Sequence, residues 1–187
     1  MRSDEALRAY VGLGSNAAGA AEHLEQALAA LAALPDMRLG AVSSVYATEP
    51  QDYADQPWFL NRAAELLKNS KCPLIYAGGG VLLSEAAPEL KKLMDALLQI
   101  EAAQGRVRSP DPALRYGPRV IDLDLLLFGD VQSTHPHCLL PHPRLTRRAF
   151  VLVPLLEVAP QIRICGLPGR QWLARLPWRL EGHRIFQ

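Results

Sequence analysis

Hydrophobic residues recur along the first part of the chain at two spacings, one typical of strands and one typical of helices. Residues 8–13 form a short apolar run that predicts a strand. Residues 12–16, with glycines at 12 and 14, predict a turn that allows close backbone approach and could floor a pocket. Leu24, Leu28 and Leu31 lie at helical spacing, so residues 21–34 predict an amphipathic helix that ends near Pro35.

The same patterns predict two further strands and a second helix. Residues 37–46 and 58–67 suit strands, and residues 48–57 read as a polar loop. Apolar residues at helical spacing then predict a helix over residues 85–104, which Gly105 ends. Glu101 lies on the apolar stripe of that helix. A carboxylate on a buried face needs a partner, so Glu101 is either a structural acceptor or the edge of a site, and the pattern leaves both open.

Two acids interrupt an apolar strand pattern near residue 120. Asp122 and Asp124 are two positions apart, so both carboxylates project from one face of the strand. Two like charges there repel, which predicts a cation between them, and oxygen ligands without His or Cys favour Mg²⁺ carrying a phosphate substrate. Arg119 adds a positive charge suited to bidentate phosphate contact. The plain alternative is a strand end with two solvated acids.

The composition narrows the classes of protein to consider. The chain has 187 residues, 49% of them hydrophobic, and a formal net charge of +1, which suits one well-buried domain. A charge this small argues against a broad nucleic-acid or membrane footprint. Three cysteines without paired spacing, no signal-like segment and no apolar run long enough to span a bilayer predict a reduced, cytoplasmic protein.

Arginines crowd the segment before the acidic strand. The group consists of Arg106, Arg108, Arg115 and Arg119. Taken alone it suits a solvated basic loop, but beside a metal pair it suits phosphate binding and closure over a nucleotide. After the strand come His142, Arg148 and Phe150, which add further cationic and aromatic groups.

Four ordered blocks of this sequence resemble the 6-hydroxymethyl-7,8-dihydropterin pyrophosphokinase family of folate biosynthesis. They are residues 10–16, residues 43–46 through 55–61, residues 101–108 through 117–124, and residues 140–143 through 148–150. The resemblance implies an α+β fold, a ferredoxin-like sandwich whose antiparallel sheet is covered by helices. It also implies transfer of diphosphate from ATP to the pterin hydroxymethyl group, giving AMP, by a monomer that uses two Mg²⁺ ions and small-molecule substrates.

The resemblance also implies a role for each matching residue. Asp122 and Asp124 match the metal ligands, and with Arg106 and Arg119 they make up the expected catalytic set. The pterin contacts are expected at Thr48, Phe59, Asn61 and Phe150. The ATP contacts are expected at Glu101, Arg108, Arg119, His142 and Arg148.

One segment departs from the family pattern within the single domain expected over residues 1–187. Residues 69–83 make the connection between the second predicted helix and the strand before it longer than is usual. Residues 74–77 could form a strand, followed by a glycine turn. The segment is interpreted as a tolerated insertion, with a second ligand site or a partner contact as alternatives.

Three alternative functions are considered. A zinc site could be imagined at His135, His137 and Cys138, with His142 nearby, although Pro136 lies between the histidines and the chain has no paired Cys-x-x-Cys. A ferredoxin-like binding module for RNA is disfavoured, because the sequence has no strand with a basic-glycine-aromatic signature. A folded but catalytically impaired relative would carry the same motifs.

Overall fold

The computed structural model describes residues 7–51, 55–68, 87–107, 118–136 and 138–187. In these ranges the chain forms eleven strands, four α-helices and one short 3-10 helix. In chain order they are β1 (Arg8–Ser15), α1 (Ala20–Ala32), β2 (Met37–Val42), β3 (Tyr46–Thr48), β4 (Phe59–Lys68), α2 (Ala87–Ala103), β5 (Asp122–Phe128), β6 (Ser133–His135), β7 (Cys138–Leu140), the 3-10 helix (Leu145–Arg147), α3 (Ala149–Val158), β8 (Arg163–Ile164), β9 (Leu167–Pro168), α4 (Gly169–Leu173), β10 (Arg179–Glu181) and β11 (Arg184–Phe186).

A seven-stranded sheet forms the centre of the fold. Its strand order is β10-β11-β3-β4-β1-β5, and β2 also pairs with β4. Every pair in this sheet is antiparallel except β11 with β3, which is parallel. The prediction of an α+β fold is therefore confirmed. The prediction of a wholly antiparallel sheet is wrong, because a C-terminal strand that the sequence pattern did not reveal adds to the edge strand β3 in parallel.

Both faces of the sheet are covered, and alternation along β1 shows how. Ala9, Val11 and Leu13 are buried against the apolar stripes of α1 and α2. Tyr10 points to the other face, where it packs in a second apolar cluster with residues of β5, α3 and α4. This is the period of two expected for a strand. Residues 12 and 14 of β1 share the face of Tyr10, which is also the face of the candidate site.

Most predicted elements are found close to their predicted positions. The strand at 8–13 extends to Ser15, the helix at 21–34 is α1, the strand at 58–67 is β4, and the helix at 85–104 is described from Ala87 to Ala103. Gly105 follows α2 with a φ of 86°, a left-handed conformation that glycine adopts easily, so its predicted role as a stop is confirmed. None of the helices in the described ranges combines the length and apolar character needed to cross a membrane.

The strand predicted over residues 37–46 is wrong as one element. The structure has two strands there, β2 and β3, both paired with β4. The register of β2 shifts after Leu39, and the chain leaves the ladder at Ser43. Ser43 Oγ accepts a hydrogen bond from the Ala63 N–H at 2.9 Å, so a side chain replaces a ladder bond at the break.

Candidate active site

The two acids of β5 lie on the same sheet face as an amide two strands away. Asp122 pairs with Gly14 and Asp124 with Gly12 across the β5–β1 ladder, and Gly14 pairs in turn with Asn61 of β4. Residues opposite one another in a sheet share a face, and neighbouring strands are about 4.8 Å apart. The backbones at Asp122 and Asn61 are therefore roughly 10 Å apart across the sheet, with only Gly14 between them in this row.

Two arginines converge on Asp122. Arg106, which follows α2, donates a hydrogen bond to Asp122 Oδ1, and Arg119 donates one to Asp122 Oδ2. Arg106 Nη1 also lies 2.6 Å from the Ile121 carbonyl oxygen, so its guanidinium is fixed at the start of β5. The sequence placed these three side chains in one site, and the structure brings them together.

Glu101 explains why Arg106 has this position. The residue is 2% exposed, and its carboxylate accepts hydrogen bonds from the Leu123 N–H at 2.9 Å and from Arg106 Nη1 at 3.1 Å. One buried acid on α2 thus bonds both the backbone at the start of β5 and the arginine that contacts Asp122. Of the two alternatives that the sequence left open for Glu101, the structural acceptor is the one observed, and the side chain also contacts Arg106 of the candidate site.

The two aspartates differ in pKa because of the charges around them. Burial alone would raise the pKa of Asp122, but the positive charges of Arg119 and Arg106 and their hydrogen bonds outweigh burial and hold that pKa below its usual value. Burial and the negative charge of Asp122 raise the pKa of Asp124 to about 6. The second carboxylate is thus costly to ionise in this environment, and a bound cation would relieve that cost.

The expected pterin contacts cluster at the ends of β3 and β4. Asn61 Nδ2 donates a hydrogen bond to Thr48 Oγ1 at 2.8 Å, and both side chains are buried. Thr48 lies opposite Phe59 in the β3–β4 ladder, and Phe59 is on the same face of β4 as Asn61. The bond to Thr48 holds the Asn61 amide in place, so the pair presents hydrogen-bonding groups beside an aromatic ring.

A second aromatic and cationic group comes from the start of α3. The Arg148 guanidinium carbon lies 5.3 Å from the centroid of the Phe150 ring. The charge of Arg148 lowers the pKa of both Asp124 and His142, although burial has the larger effect on each. Arg148 is therefore close enough to influence Asp124, and its guanidinium lies over the ring of Phe150.

His142 is tied to the acidic strand and is uncharged at neutral pH. The backbone N–H of His142 donates to the carbonyl oxygen of Leu126 at 3.0 Å, and Leu126 lies two residues after Asp124 on β5. Burial and the charges of Arg148 and Arg144 lower the pKa of His142 to about 4. Its Nδ1 is 3.3 Å from the Arg144 N–H, which favours the tautomer that carries its proton on Nε2 and can donate it to an anion.

Some sequence predictions fall on residues outside the described ranges. These are Arg108 and Arg115 of the arginine group, His137 of the imagined zinc site, and the segment 69–83. Within the described residues, no group of three or more His, Cys, Asp or Glu side chains is placed to hold a metal ion. Two members of the imagined zinc site, His135 and Cys138, pair across β6 and β7, and burial raises the pKa of the Cys138 thiol, which disfavours the thiolate that zinc requires.

The sequence did not single out Asn16, which joins the two sides of the site. Its side chain is buried at the end of β1, and its Oδ1 accepts a hydrogen bond from the Arg119 N–H at 2.7 Å. Its Nδ2 lies 3.2 Å from Gln56 Oε1 and 3.3 Å from the Pro57 carbonyl oxygen. The available signal was a polar residue directly after the Gly-Leu-Gly-Ser run.

Comparison with known proteins gives a consistent result. The family model described as 7,8-dihydro-6-hydroxymethylpterin-pyrophosphokinase (HPPK) matches residues 10–77 and 79–160. A protein of Pseudomonas aeruginosa called 2-amino-4-hydroxy-6-hydroxymethyldihydropteridine pyrophosphokinase is 43% identical over 84% of this chain and 83% of its own length. Proteins with the same name from Methylorubrum extorquens and Haemophilus influenzae are 41% and 33% identical, over 90% and 97% of this chain and over 93% and 98% of their own lengths.

Solved structures show the likeness of the fold. An HPPK-DHPS chain of Plasmodium falciparum, crystallised as a triple mutant with pteroate, matches 91% of this chain with a TM-score of 0.59 and 15% sequence identity. The wild-type chain of that protein, with STZ-DHP, matches 94% with a TM-score of 0.59. This chain spans less than half of those longer chains, 43% and 44% respectively.

Proposed function

The chain belongs to the 7,8-dihydro-6-hydroxymethylpterin-pyrophosphokinase family and is therefore an enzyme of the ATP-dependent diphosphotransferase type, and on that premise we propose its reaction and its site. The substrates are ATP and 6-hydroxymethyl-7,8-dihydropterin, and the pathway is folate biosynthesis. The hydroxymethyl oxygen bonds to the β-phosphorus of ATP, and the bond from that phosphorus to the oxygen bridging the α and β phosphates breaks. The products are AMP, the pterin diphosphate and a proton.

The observation that carries this proposal is the row across β5, β1 and β4. An acidic group at Asp122 and a hydrogen-bonding amide at Asn61 share a sheet face with Gly14 between them. Transfer between two substrates requires both to be held with the reacting atoms about 3–3.5 Å apart. A flat acceptor over Asn61 and a phosphate chain over the aspartates would meet above the glycines of β1.

The carboxylate pair suits Mg²⁺. This ion is usually held by one or two carboxylates together with substrate phosphates, and Asp122 and Asp124 offer two carboxylates. The raised pKa of Asp124 supports a cation there, because a positive charge would offset the cost of ionising that carboxyl group. In this proposal the two aspartates hold two Mg²⁺ ions, which when bound neutralise charge on the triphosphate.

The positive side chains around the aspartates form the part of the site that would bind ATP. Arg106 and Arg119, now on Asp122, would turn to the phosphates when ATP binds and stabilise the charge that develops in transfer. His142 and Arg148 would contact the nucleotide phosphates. Glu101 would complete the ATP site through Arg106, and Arg108 is assigned to ATP from the sequence alone.

The acceptor is held by stacking and by a polar edge. Phe59 and Phe150 would stack on the two faces of the pterin ring, which suits the flat π system. Asn61 and Thr48 would supply donors and acceptors at its edge. Each group binds and orients, so catalysis consists mainly of positioning and electrostatic stabilisation.

The proposal extends to the architecture and setting of the protein. The strand order β5-β1-β4-β2, with α1 and α2 on one face, supports the ferredoxin-like sandwich. We propose one domain over residues 1–187, acting as a cytoplasmic monomer on small molecules, without nucleic acid or membrane.

The test is product analysis with matched aspartate variants. The protein with ATP, Mg²⁺ and the reduced hydroxymethylpterin should release AMP. Asp122→Asn and Asp124→Asn should each lower kcat at least about a hundredfold, because loss of transition-state charge stabilisation is worth roughly 2.7–4 kcal/mol. Asp130→Asn makes the same change at an exposed position just after β5 and should leave kcat unchanged.

Three results would contradict the proposal. ADP as the nucleotide product would indicate transfer of a single phosphoryl group. Full turnover in the double variant of Asp122 and Asp124 would remove the proposed metal site. A folded wild-type protein that binds the pterin but releases no AMP would instead be the catalytically impaired relative.

A further inference from the structure

The side chain of Gln187 bonds both neighbours of Arg148. Its Oε1 accepts a hydrogen bond from the Ala149 N–H at 2.6 Å, and its Nε2 donates to the Arg147 carbonyl oxygen at 2.9 Å. The Gln51 side-chain amide also approaches Gln187 Oε1 at 3.4 Å. One carboxamide therefore contacts the segment that carries Arg148 and Phe150 and also the loop that follows Thr48.

The contact with Ala149 satisfies a need of α3. The first N–H groups of a helix have no partner within the helix, and a side-chain acceptor usually caps them. Arg148 occupies the N-cap position of α3 with an extended backbone, φ −128° and ψ 111°, and makes no side-chain cap hydrogen bond. Gln187 supplies an acceptor from 38 residues further along the chain.

The strand before Gln187 is attached beside the acceptor side of the site. In β11, Arg184 pairs with Ala47 and Ile185 with Thr48 of β3. The Ala47 N–H donates to the His183 carbonyl oxygen at 2.8 Å, and Ile185 is 1% exposed. Gln187 follows this strand directly, so its position relative to Thr48 is fixed by the sheet. It lies outside the residues that the family model matches, which end at 160.

We propose that Gln187 is a positioning residue, which sets the distance between the β3–β4 side of the acceptor slot and the Arg148–Phe150 side. This inference rests on the proposed pterin site. The strand β11 fixes one end of the link at Thr48, and the carboxamide fixes the other end at the start of α3. Without the link, Arg148 and Phe150 remain at the start of α3, but only the backbone of that helix end holds them in position.

The expected effect is a loss of acceptor affinity. Gln187 is exposed, so water replaces part of what a truncated side chain loses, and each net hydrogen bond is worth about 1 kcal/mol, or about fivefold in an equilibrium constant. Gln187→Ala should therefore raise KM for the pterin about fivefold. The value of kcat should stay within about twofold, because Asp122, Arg106 and Arg119 do not contact Gln187.

The experiment compares Gln187→Ala, Gln187→Glu and the control Gln161→Ala in steady-state assays of AMP release, with melting temperature measured for each. Gln161 is an exposed glutamine in the turn after α3. Gln187→Glu keeps an acceptor for the Ala149 N–H, and its negative charge suits a helix N-terminus. It should restore most of the acceptor affinity, with KM within about twofold of the wild type, whereas Gln161→Ala should match the wild type.

Each outcome decides the inference separately from the proposed function. A raised pterin KM with unchanged kcat in Gln187→Ala, restored in Gln187→Glu, supports it. A lowered melting temperature with unchanged KM would show a purely structural role and overturn it. A KM in Gln187→Glu as high as in Gln187→Ala would overturn the capping basis. Lack of AMP release by the wild-type enzyme would instead refute the proposed function.

Discussion

Gly14 occupies the position between Asp122 and Asn61, and its missing side chain shapes the site. A Cβ built there would lie 3.2 Å from Asn61 Oδ1, closer than ordinary contact. A Cβ built on Gly12, in the neighbouring row, would lie 3.5 Å from the nearest atom of Leu126, which is ordinary contact. The two glycines therefore differ in the room they leave for a side chain. A side chain at position 14 would crowd the Asn61 amide, whereas one at position 12 would make ordinary contacts.

Gly14→Ala tests this difference. The added methyl group should push the Asn61 amide out of its bond with Thr48 and raise Kd for the pterin about tenfold, the cost of one or two net hydrogen bonds. Gly12→Ala should raise that Kd less. Isothermal titration of the pterin into both variants in the presence of a non-hydrolysable ATP analogue gives the affinities. Equal affinities for the two variants would show that Asn61 is not held by this contact.

The helix α3 is anchored at its far end as well as at Gln187. Glu157 accepts hydrogen bonds from the Ser44 N–H at 3.0 Å, from Ser44 Oγ at 2.8 Å and from the Tyr46 hydroxyl at 2.8 Å. These bonds tie α3 to the chain between β2 and β3. Burial, followed by the hydrogen bond to Glu157, raises the pKa of Tyr46 to about 12, so that hydroxyl remains a donor throughout the neutral range.

The anchor at Glu157 should make stability depend on pH. Burial alone would raise the pKa of Glu157, but its hydrogen bonds from Ser44 and Tyr46 outweigh burial and lower it below 4.5. An acid with a lowered pKa contributes stability that is fully present above its unfolded value and is lost as pH falls through its folded value. Because Glu157 is exposed, this contribution is at most about 1 kcal/mol.

The contribution of Glu157 to the free energy of unfolding is measured by urea unfolding of the wild type and of Glu157→Gln. The difference in free energy of unfolding should be present above about pH 4.5 and should shrink as pH falls below that value. Glu22→Gln on the exposed face of α1 is the matched control. A difference that grows as pH falls below about pH 4.5 would have the wrong sign and would refute the assignment.

For the molecule as a whole, an ion pair joins the two elements that lie on either side of the segment 69–86, namely β4 and α2. Lys68 Nζ at the end of β4 lies 3.1 Å from Glu89 Oε1 in the first turn of α2. The Lys68 N–H also donates to the Leu7 carbonyl oxygen at 2.9 Å. The end of β4 and the start of α2 are therefore held together by described residues, whatever the length of chain between them.

Shortening that segment should leave catalysis intact. Closure entropy grows only with the logarithm of loop length, so replacing residues 69–83 by about five Gly and Ser residues should change the free energy of unfolding by less than about 1 kcal/mol. KM for ATP and for the pterin should stay within about twofold of the wild type. A large rise in either KM, in a variant with unchanged melting temperature, would assign the segment to a substrate site.

Local patterns were sufficient to predict those features that depend on near neighbours in the chain. The period of two puts Asp122 and Asp124 on one face, the period of 3.6 predicts α1 and α2, and Gly105 ends α2. The motifs led to the family because they lie in order along the chain. Each of these features depends on residues a few positions apart, whose geometry the backbone fixes.

The tertiary structure decided which distant residues meet. Asp122, Gly14 and Asn61 share a row only because the ladders β5–β1 and β1–β4 have the register that buries the apolar residues of all three strands. The break at Ser43 and the parallel strand β11 likewise result from long-range pairing. Strand β11, with three residues, is too short to show a period, so no local pattern could place Gln187 beside Arg148.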